Sequence, residues 1–184
     1  MQLTELVNAD KGTSPMLFGA YASSSARYAF YWSATGNVFG TYYAGQSKDF
    51  SSITNGYERV QIDCNKNTQS LNGETITYTA STSACSYPLY LFGRNTSGSA
   101  GFLAKARLYS CQIYDNDVLV RDFVPMANEQ GVCGLYDNVN GVFYASANGN
   151  NFLGIRKDGL PVGYTLCEYI ESNGTQYIDT GVAG

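Results

Sequence analysis

Ala26–Tyr43, ARYAFYWSATGNVFGTYY, is the stretch whose reading decides the fold. Ala26–Ser33 and Val38–Tyr43 are runs of aromatic and β-branched residues, and Ala34–Asn37 (ATGN) between them has turn chemistry, so the stretch reads as a β-hairpin. With a strand's period of two, Tyr28, Phe30 and Trp32 share one face and Tyr31 lies on the other, while Tyr42 and Tyr43 come from the partner strand. One face must be core. Flat aromatic faces flanked by Asn, Gln and Asp suit pyranose rings, which makes Tyr28, Tyr31, Trp32, Tyr42 and Tyr43 the candidate ligand-binding residues. For Trp32, the chain's one tryptophan, a place in the core is the competing reading.

The same pattern continues outward from this hairpin. Tyr57–Asp63 (YERVQID) alternates, and Thr68–Leu71, Asn72-Gly73 and Glu74–Thr79 (ETITYT) follow as strand, turn and strand. Asn-Gly recurs at 55–56, 140–141, 148–149 and 173–174. Pro88–Gly93 (PLYLFG) reads as a buried strand. Phe102–Tyr114 is a longer one, and Asp115-Asn116-Asp117 turns it into Val118–Val124. Val132–Tyr136 and Val142–Ala145 are two more short strands. No helical periodicity competes with these runs, and no linker or charge run divides the chain, so one all-β domain over residues 1–184 is expected.

Composition narrows the chemistry. The 184 residues include 16 tyrosines but only 14% charged residues, a composition of strands and turns rather than long amphipathic helices. A net charge of −4, with scattered basic residues, argues against nucleic acid as a partner. Histidine is absent, which removes Ser-His-Asp and Cys-His catalysis and the usual zinc sets. The five cysteines (Cys64, Cys85, Cys111, Cys133, Cys167) are far apart, without Cys-x-x-Cys, and read as small buried hydrophobes. No apolar run is long enough for membrane insertion. Met1-Gln2-Leu3-Thr4-Glu5 shows no signal peptide.

Three longer phrases carry a resemblance: Leu108–Pro125 (LYSCQIYDNDVLVRDFVP), Gly134–Tyr144 (GLYDNVNGVFY) and Glu168–Val182 (EYIESNGTQYIDTGV). With Leu17–Ala20 (LFGA) and Leu91–Gly93 (LFG), they resemble the concanavalin A-like, laminin-G-like domains of gut-bacterial surface and prophage proteins. The resemblance implies a two-sheet antiparallel jelly-roll sandwich. It also implies an extracellular, cell-surface or virion location and a glycan or protein ligand. In that family a phrase like Leu160–Val182 opens the domain, whereas here it stands near the end, so the chain resembles a circular permutant or a module cut one strand out of phase. Residues 160–184 then supply the opening segment, and Tyr169, Ile170, Tyr177 and Ile178 are its apolar strand residues. Met1–Val7 is expected to continue into the next strand. Such a strand must pair, either within its own sandwich or by exchange with a neighbour, the latter giving self-association.

The fold also hosts glycosidases, which need two facing acids about 5–9.5 Å apart. No Glu-x-Asp-x-x-Glu occurs, and Glu168 and Glu171, three apart on a strand, point to opposite faces. No enzyme is expected. Many laminin-G-like modules bind calcium, and Asp115, Asp117 and Asp137, with Asn116, offer hard oxygen ligands on turns. Ordinary turn chemistry by Asp and Asn competes with that reading, and no other cofactor is indicated. Arg121-Asp122, set among apolar neighbours, reads as an ion pair or backbone clamp. Asn95-Thr96-Ser97 and Asn173-Gly174-Thr175 fit the glycosylation pattern but read as bare loops. The expected function is non-catalytic recognition or adhesion, with a structural subunit linked through its C-terminal strand as the alternative.

Overall fold

The computed structural model describes residues 1–3, 14–33, 36–52, 58–157 and 164–183, and among these every regular element is a strand. In chain order they are β1 (Gln2–Leu3), β2 (Met16–Ser23), β3 (Ala26–Ser33), β4 (Val38–Tyr43), β5 (Gln46–Asp49), β6 (Ile62–Asn65) and β7 (Thr68–Leu71). Then come β8 (Glu74–Thr77), β9 (Pro88–Leu91), β10 (Arg94–Thr96), β11 (Ser99–Gly101), β12 (Lys105–Leu108) and β13 (Cys111–Asp115). The last are β14 (Val118–Asn128), β15 (Cys133–Asp137), β16 (Val142–Tyr144), β17 (Leu153–Lys157), β18 (Tyr164–Asn173) and β19 (Ile178–Ala183).

One eight-stranded sheet runs β1-β12-β18-β14-β15-β16, with β13 on β14 and β17 on β18. A second runs β11-β10-β2-β3-β4-β5, with β9 pairing both β2 and β19. A small meander, β6-β7-β8, forms the third. Inward side chains of all three meet in one apolar cluster. It joins Phe30, Trp32 and Leu91 of the second sheet, Leu108, Phe123 and Ile170 of the first, and Leu71 and Ile76 of the meander. This arrangement is consistent with a β-sandwich.

The hairpin of β3 and β4 has the bounds expected from its composition, and its register sets Tyr28 opposite Tyr43 and Trp32 opposite Phe39. Asn72-Gly73 turns β7 into β8 with both residues at positive φ (48° and 92°), the backbone a tight hairpin turn requires. Elsewhere the chain departs from the reading. Phe102–Tyr114 is not one strand: Phe102 takes φ 56°, and β12 breaks at Tyr109-Ser110 before β13, which leaves β12 on β18 and β13 on β14. The strand expected over Tyr57–Asp63 begins only at Ile62, and Tyr57 lies outside the described residues, as do residues 4–7 beyond β1.

The C-terminal strands are integral to the fold. Ile170 pairs with Leu108 on one side and Gly154 on the other, so β18 is an interior strand. Gly174, at φ 92°, then turns the chain out of the first sheet, and β19 pairs with β9 in the second. Ile170 and Ile178 are both fully buried, Tyr169 is buried, and Tyr177 stacks on Tyr90 with ring centroids 4.7 Å apart. The segment therefore pairs within its own chain and ties one sheet to the other.

Candidate functional site

The pleat divides the five candidate aromatics. Trp32, 1% exposed, faces inward and meets Phe39 edge-on at 4.8 Å, so it belongs to the core. Tyr28 and Tyr43 lie on that same inward side. Tyr43 stacks on Tyr78 at 5.6 Å, and the Tyr28 and Tyr43 hydroxyls donate to the carbonyls of Ser83 and Ser81, whose segment covers them. Burial, then the neighbouring Tyr43, raises the Tyr28 hydroxyl above the ordinary tyrosine value. Trp32 and Tyr43 are buried and closed to a ligand, while Tyr28 is half-buried beneath that segment.

Tyr31 and Tyr42 face outward. Their rings stack at 4.7 Å with an interplanar angle of 28°, and the Tyr31 hydroxyl donates to Asp49 Oδ1 at 3.0 Å. Burial first, and then that bond to Asp49, pushes the Tyr31 hydroxyl well above the ordinary tyrosine range, so it stays a donor. The Arg27 guanidinium, on the same face of β3, lies 3.6 Å from the centre of the Tyr42 ring. From β10, Arg94 places its guanidinium 4.1 Å from the Phe102 ring and 4.8 Å from that of Tyr21.

Two glycines make the floor of this platform. A Cβ on Gly40 would sit 2.5 Å from Tyr31 Cζ and 2.3 Å from Asp49 Oδ1; its absence lets Tyr31 lie across β4. A Cβ on Gly19 would sit 2.9 Å from Ala29 Cβ and 3.3 Å from Arg94 Cγ, so Arg94 crosses β2 at that point. The result is a packed aromatic face on which Arg27 lies over the Tyr42 ring and Arg94 over those of Phe102 and Tyr21, with Tyr31 buried against Tyr42 and hydrogen-bonded to Asp49. Its half-buried guanidinium groups and ring edges can hydrogen-bond and pack against a ligand. Arg27 is not among the residues named from the sequence, although the alternation of ARYAFYW sets it on the Tyr31 face. Arg94 and Phe102 carry no such signal, because the pairing that brings β10 beside β2 is parallel and nonlocal.

The acidic residues are placed otherwise. Asp137, fully buried, accepts from the amides of Asp122 (2.9 Å) and Val139 (3.1 Å) and from Asn140 Nδ2 (2.7 Å), and Arg121 Nε lies 3.5 Å away. Burial alone would raise its carboxyl; those donors and the arginine together hold it below the ordinary value. Asp115 and Asp117 flank the β13–β14 turn, where Asp115 pairs with Val118, whereas Asp137 pairs with Phe123. Five residues of strand, roughly 16 Å, separate those positions, too far to share one cation. Arg121 also donates to the carbonyls of Thr180 and Val120, the clamp that its apolar neighbours implied. Glu171 pairs with Arg107 at 2.5 Å, while Glu168 is exposed. Asn95 is buried with its amide spent on Pro88 and Gly98, which closes the first glycosylation pattern.

A cleft of about 1010 Å³ opens elsewhere, between the meander, β9 and β12–β13. Its floor is core, including Leu91 and Leu108, with Cys64 and Cys111 on its walls. Two of its charged groups are engaged within the protein: Arg59 lies 3.9 Å from the Tyr109 ring, and Asp122 accepts from Gln112 and Asn138. The outer face of β3 and β4 is the better candidate. Comparison of the chain with family models, with curated proteins and with solved structures finds no match.

Proposed function

We propose that this chain is a non-catalytic recognition module of the concanavalin A-like, laminin-G-like jelly-roll kind, at a cell surface or virion, and that it binds a saccharide on the outer face of β2–β4. The observation that carries the reading is the half-buried Tyr42, stacked on a Tyr31 that packs over Gly40 and bonds to Asp49, with the Arg27 guanidinium over the Tyr42 ring. Stacking and charge-assisted hydrogen bonds from one face are the two contacts that hold a sugar ring. The absence of histidine from the sequence and the pairing of Glu171 with Arg107 support the non-catalytic part. A glycan array tests the reading, with Tyr42→Ala expected to weaken binding at least roughly tenfold while the protein stays folded. Hydrolysis of glycans by the pure protein, lost on changing one Asp or Glu, would overturn it. A ladder of polymers on size exclusion, with no glycan bound, would instead favour assembly by exchange of the C-terminal strand.

A further inference from the structure

We infer that the saccharide is acidic, with a carboxylate or sulfate lying across the guanidinium groups of Arg27 and Arg94; this rests on the recognition reading above and names its ligand class. Arg27 on β3 is the direct cross-strand partner of Tyr21 on β2, and Arg94 packs against that same Tyr21 ring from β10. The Arg94 stem lies over Gly19, beside Ala29 and two residues along β3 from Arg27. Two cations therefore share one neighbourhood. Arg94 is drawn below the ordinary arginine value by burial first and by Arg27 second.

The chain treats other arginines differently. Arg107 and Arg121 have their own carboxylates, Glu171 and Asp137, whereas among the described residues neither Arg27 nor Arg94 forms an ion pair. Arg27 is half-buried, and its Nε is buried with no hydrogen-bond partner among those residues. The carboxylates on the same face each accept a hydrogen bond, Asp49 from the Tyr31 hydroxyl and Asp179 from the Gly181 amide, and among the described residues neither pairs with Arg27 or Arg94. In a chain of net charge −4, two neighbouring cations with no ion pair among the described residues, set on an aromatic face, are a place for a ligand's anion. A planar guanidinium meets carboxylate and sulfate oxygens two at a time, and the half-buried Tyr42 and Phe102 beside the two arginines supply apolar surface for the ring that bears them.

The full chain is titrated at low salt with three oligosaccharides of equal length: an oligogalacturonate, a heparin-derived sulfated oligosaccharide and a neutral cello-oligosaccharide. At least one acidic probe is expected to bind roughly tenfold or more tighter than the neutral one, with the advantage shrinking as salt is added. Which acidic probe binds tells carboxylate from sulfate. Arg27→Gln and Arg94→Gln should each remove most of that advantage. Lys66→Asn, which takes the same charge from an exposed turn of the meander, should leave it intact. If either glutamine variant melts early, Arg27→Lys and Arg94→Lys keep the charge and lose the fork, and a partial loss of preference is then expected. Equal affinity for neutral and acidic probes, or a preference that survives both glutamine changes, overturns the inference. Neutral binding that Tyr42→Ala abolishes, without any preference for acid, overturns it and leaves the recognition reading standing. No binding of any probe overturns both.

Discussion

On the inner face of β3 and β4, Phe30, Trp32 and Phe39 are sealed, and their ring centres lie 4.8 to 5.9 Å apart. On the outer face of the same strands, Tyr31 and Tyr42 stack as closely, at 4.7 Å, yet they keep their hydroxyls and lie beside a guanidinium. One hairpin with one aromatic composition thus serves two ends, and only the alternation of the pleat separates them. Inward rings contribute through the area they remove from water. On the outer face Tyr31 is itself buried, 7% exposed, and helps to hold the fold, while the half-buried Tyr42 keeps surface available to a ligand. Within the eighteen residues Ala26–Tyr43, stability and recognition are therefore most separable at Tyr42.

The largest effect should come from removing what the inner face packs against. Deleting residues 168–184 takes away Ile170 and Ile178, which belong to the same core cluster as Phe30 and Trp32. Each such side chain is worth roughly 1.5–3 kcal/mol against a total of about 5–15, so the truncated chain should unfold or aggregate. Circular dichroism and size exclusion read the outcome; a monomer that melts like the full chain would separate the hairpin's core from the C-terminal strands. Next, Trp32→Ala should destabilise by about 3–5 kcal/mol in chemical denaturation. A loss as small as that of an outer-face variant would break the contrast between the faces.

A third, smaller effect concerns pH. The Asp137 carboxyl is held below its ordinary value of 3.8 in the folded protein. A depressed folded value contributes stability that is complete above the unfolded value and is lost as pH falls through it towards the folded one. The native chain should therefore lose stability as pH falls through and below the ordinary carboxylate range, and Asp137→Asn should flatten that limb while costing about 1.5–3 kcal/mol at neutral pH. Parallel limbs in the two proteins would assign the acid loss to other groups. The smallest effect on folding is expected at Tyr42→Ala, under about 1 kcal/mol, beside its large effect on binding. A thermal shift as great as that of Trp32→Ala would place Tyr42 in the core and remove the outer platform.

The hairpin itself was legible because its information is local. Dense aromatics bounded by ATGN set the limits of β3 and β4, and Asn72-Gly73 marked its turn through a backbone that few residue pairs adopt. Alternation also put Tyr31 on the face opposite Tyr28 and Trp32. Which of the two faces was core could not be read from the hairpin, since both carry rings; the answer came from Leu91, Phe123 and Ile170, all remote in sequence. The same limit hid Arg94 and Phe102. They reach the outer face only because the chain reverses at Phe92, with φ 64°, and lays β10 parallel to β2. The division of Phe102–Tyr114 into β12 and β13 was equally hidden. The run has uniform strand character, and the break arises from its being shared between β18 and β14.

Gly19 and Gly40 give the platform an evolutionary property. At Gly40 an added methyl would press on Asp49 and Tyr31 of the platform, whereas at Gly19 it would meet Ala29 first, at 2.9 Å, and Arg94 only at 3.3 Å. Glycine and alanine codons differ by one nucleotide, so a single mutational step at Gly40 would tilt Tyr31 off its floor and redraw the binding surface while Phe30, Trp32 and Phe39 beneath stayed in place. A lineage carrying this domain could thus change what it recognises without first relearning how to fold.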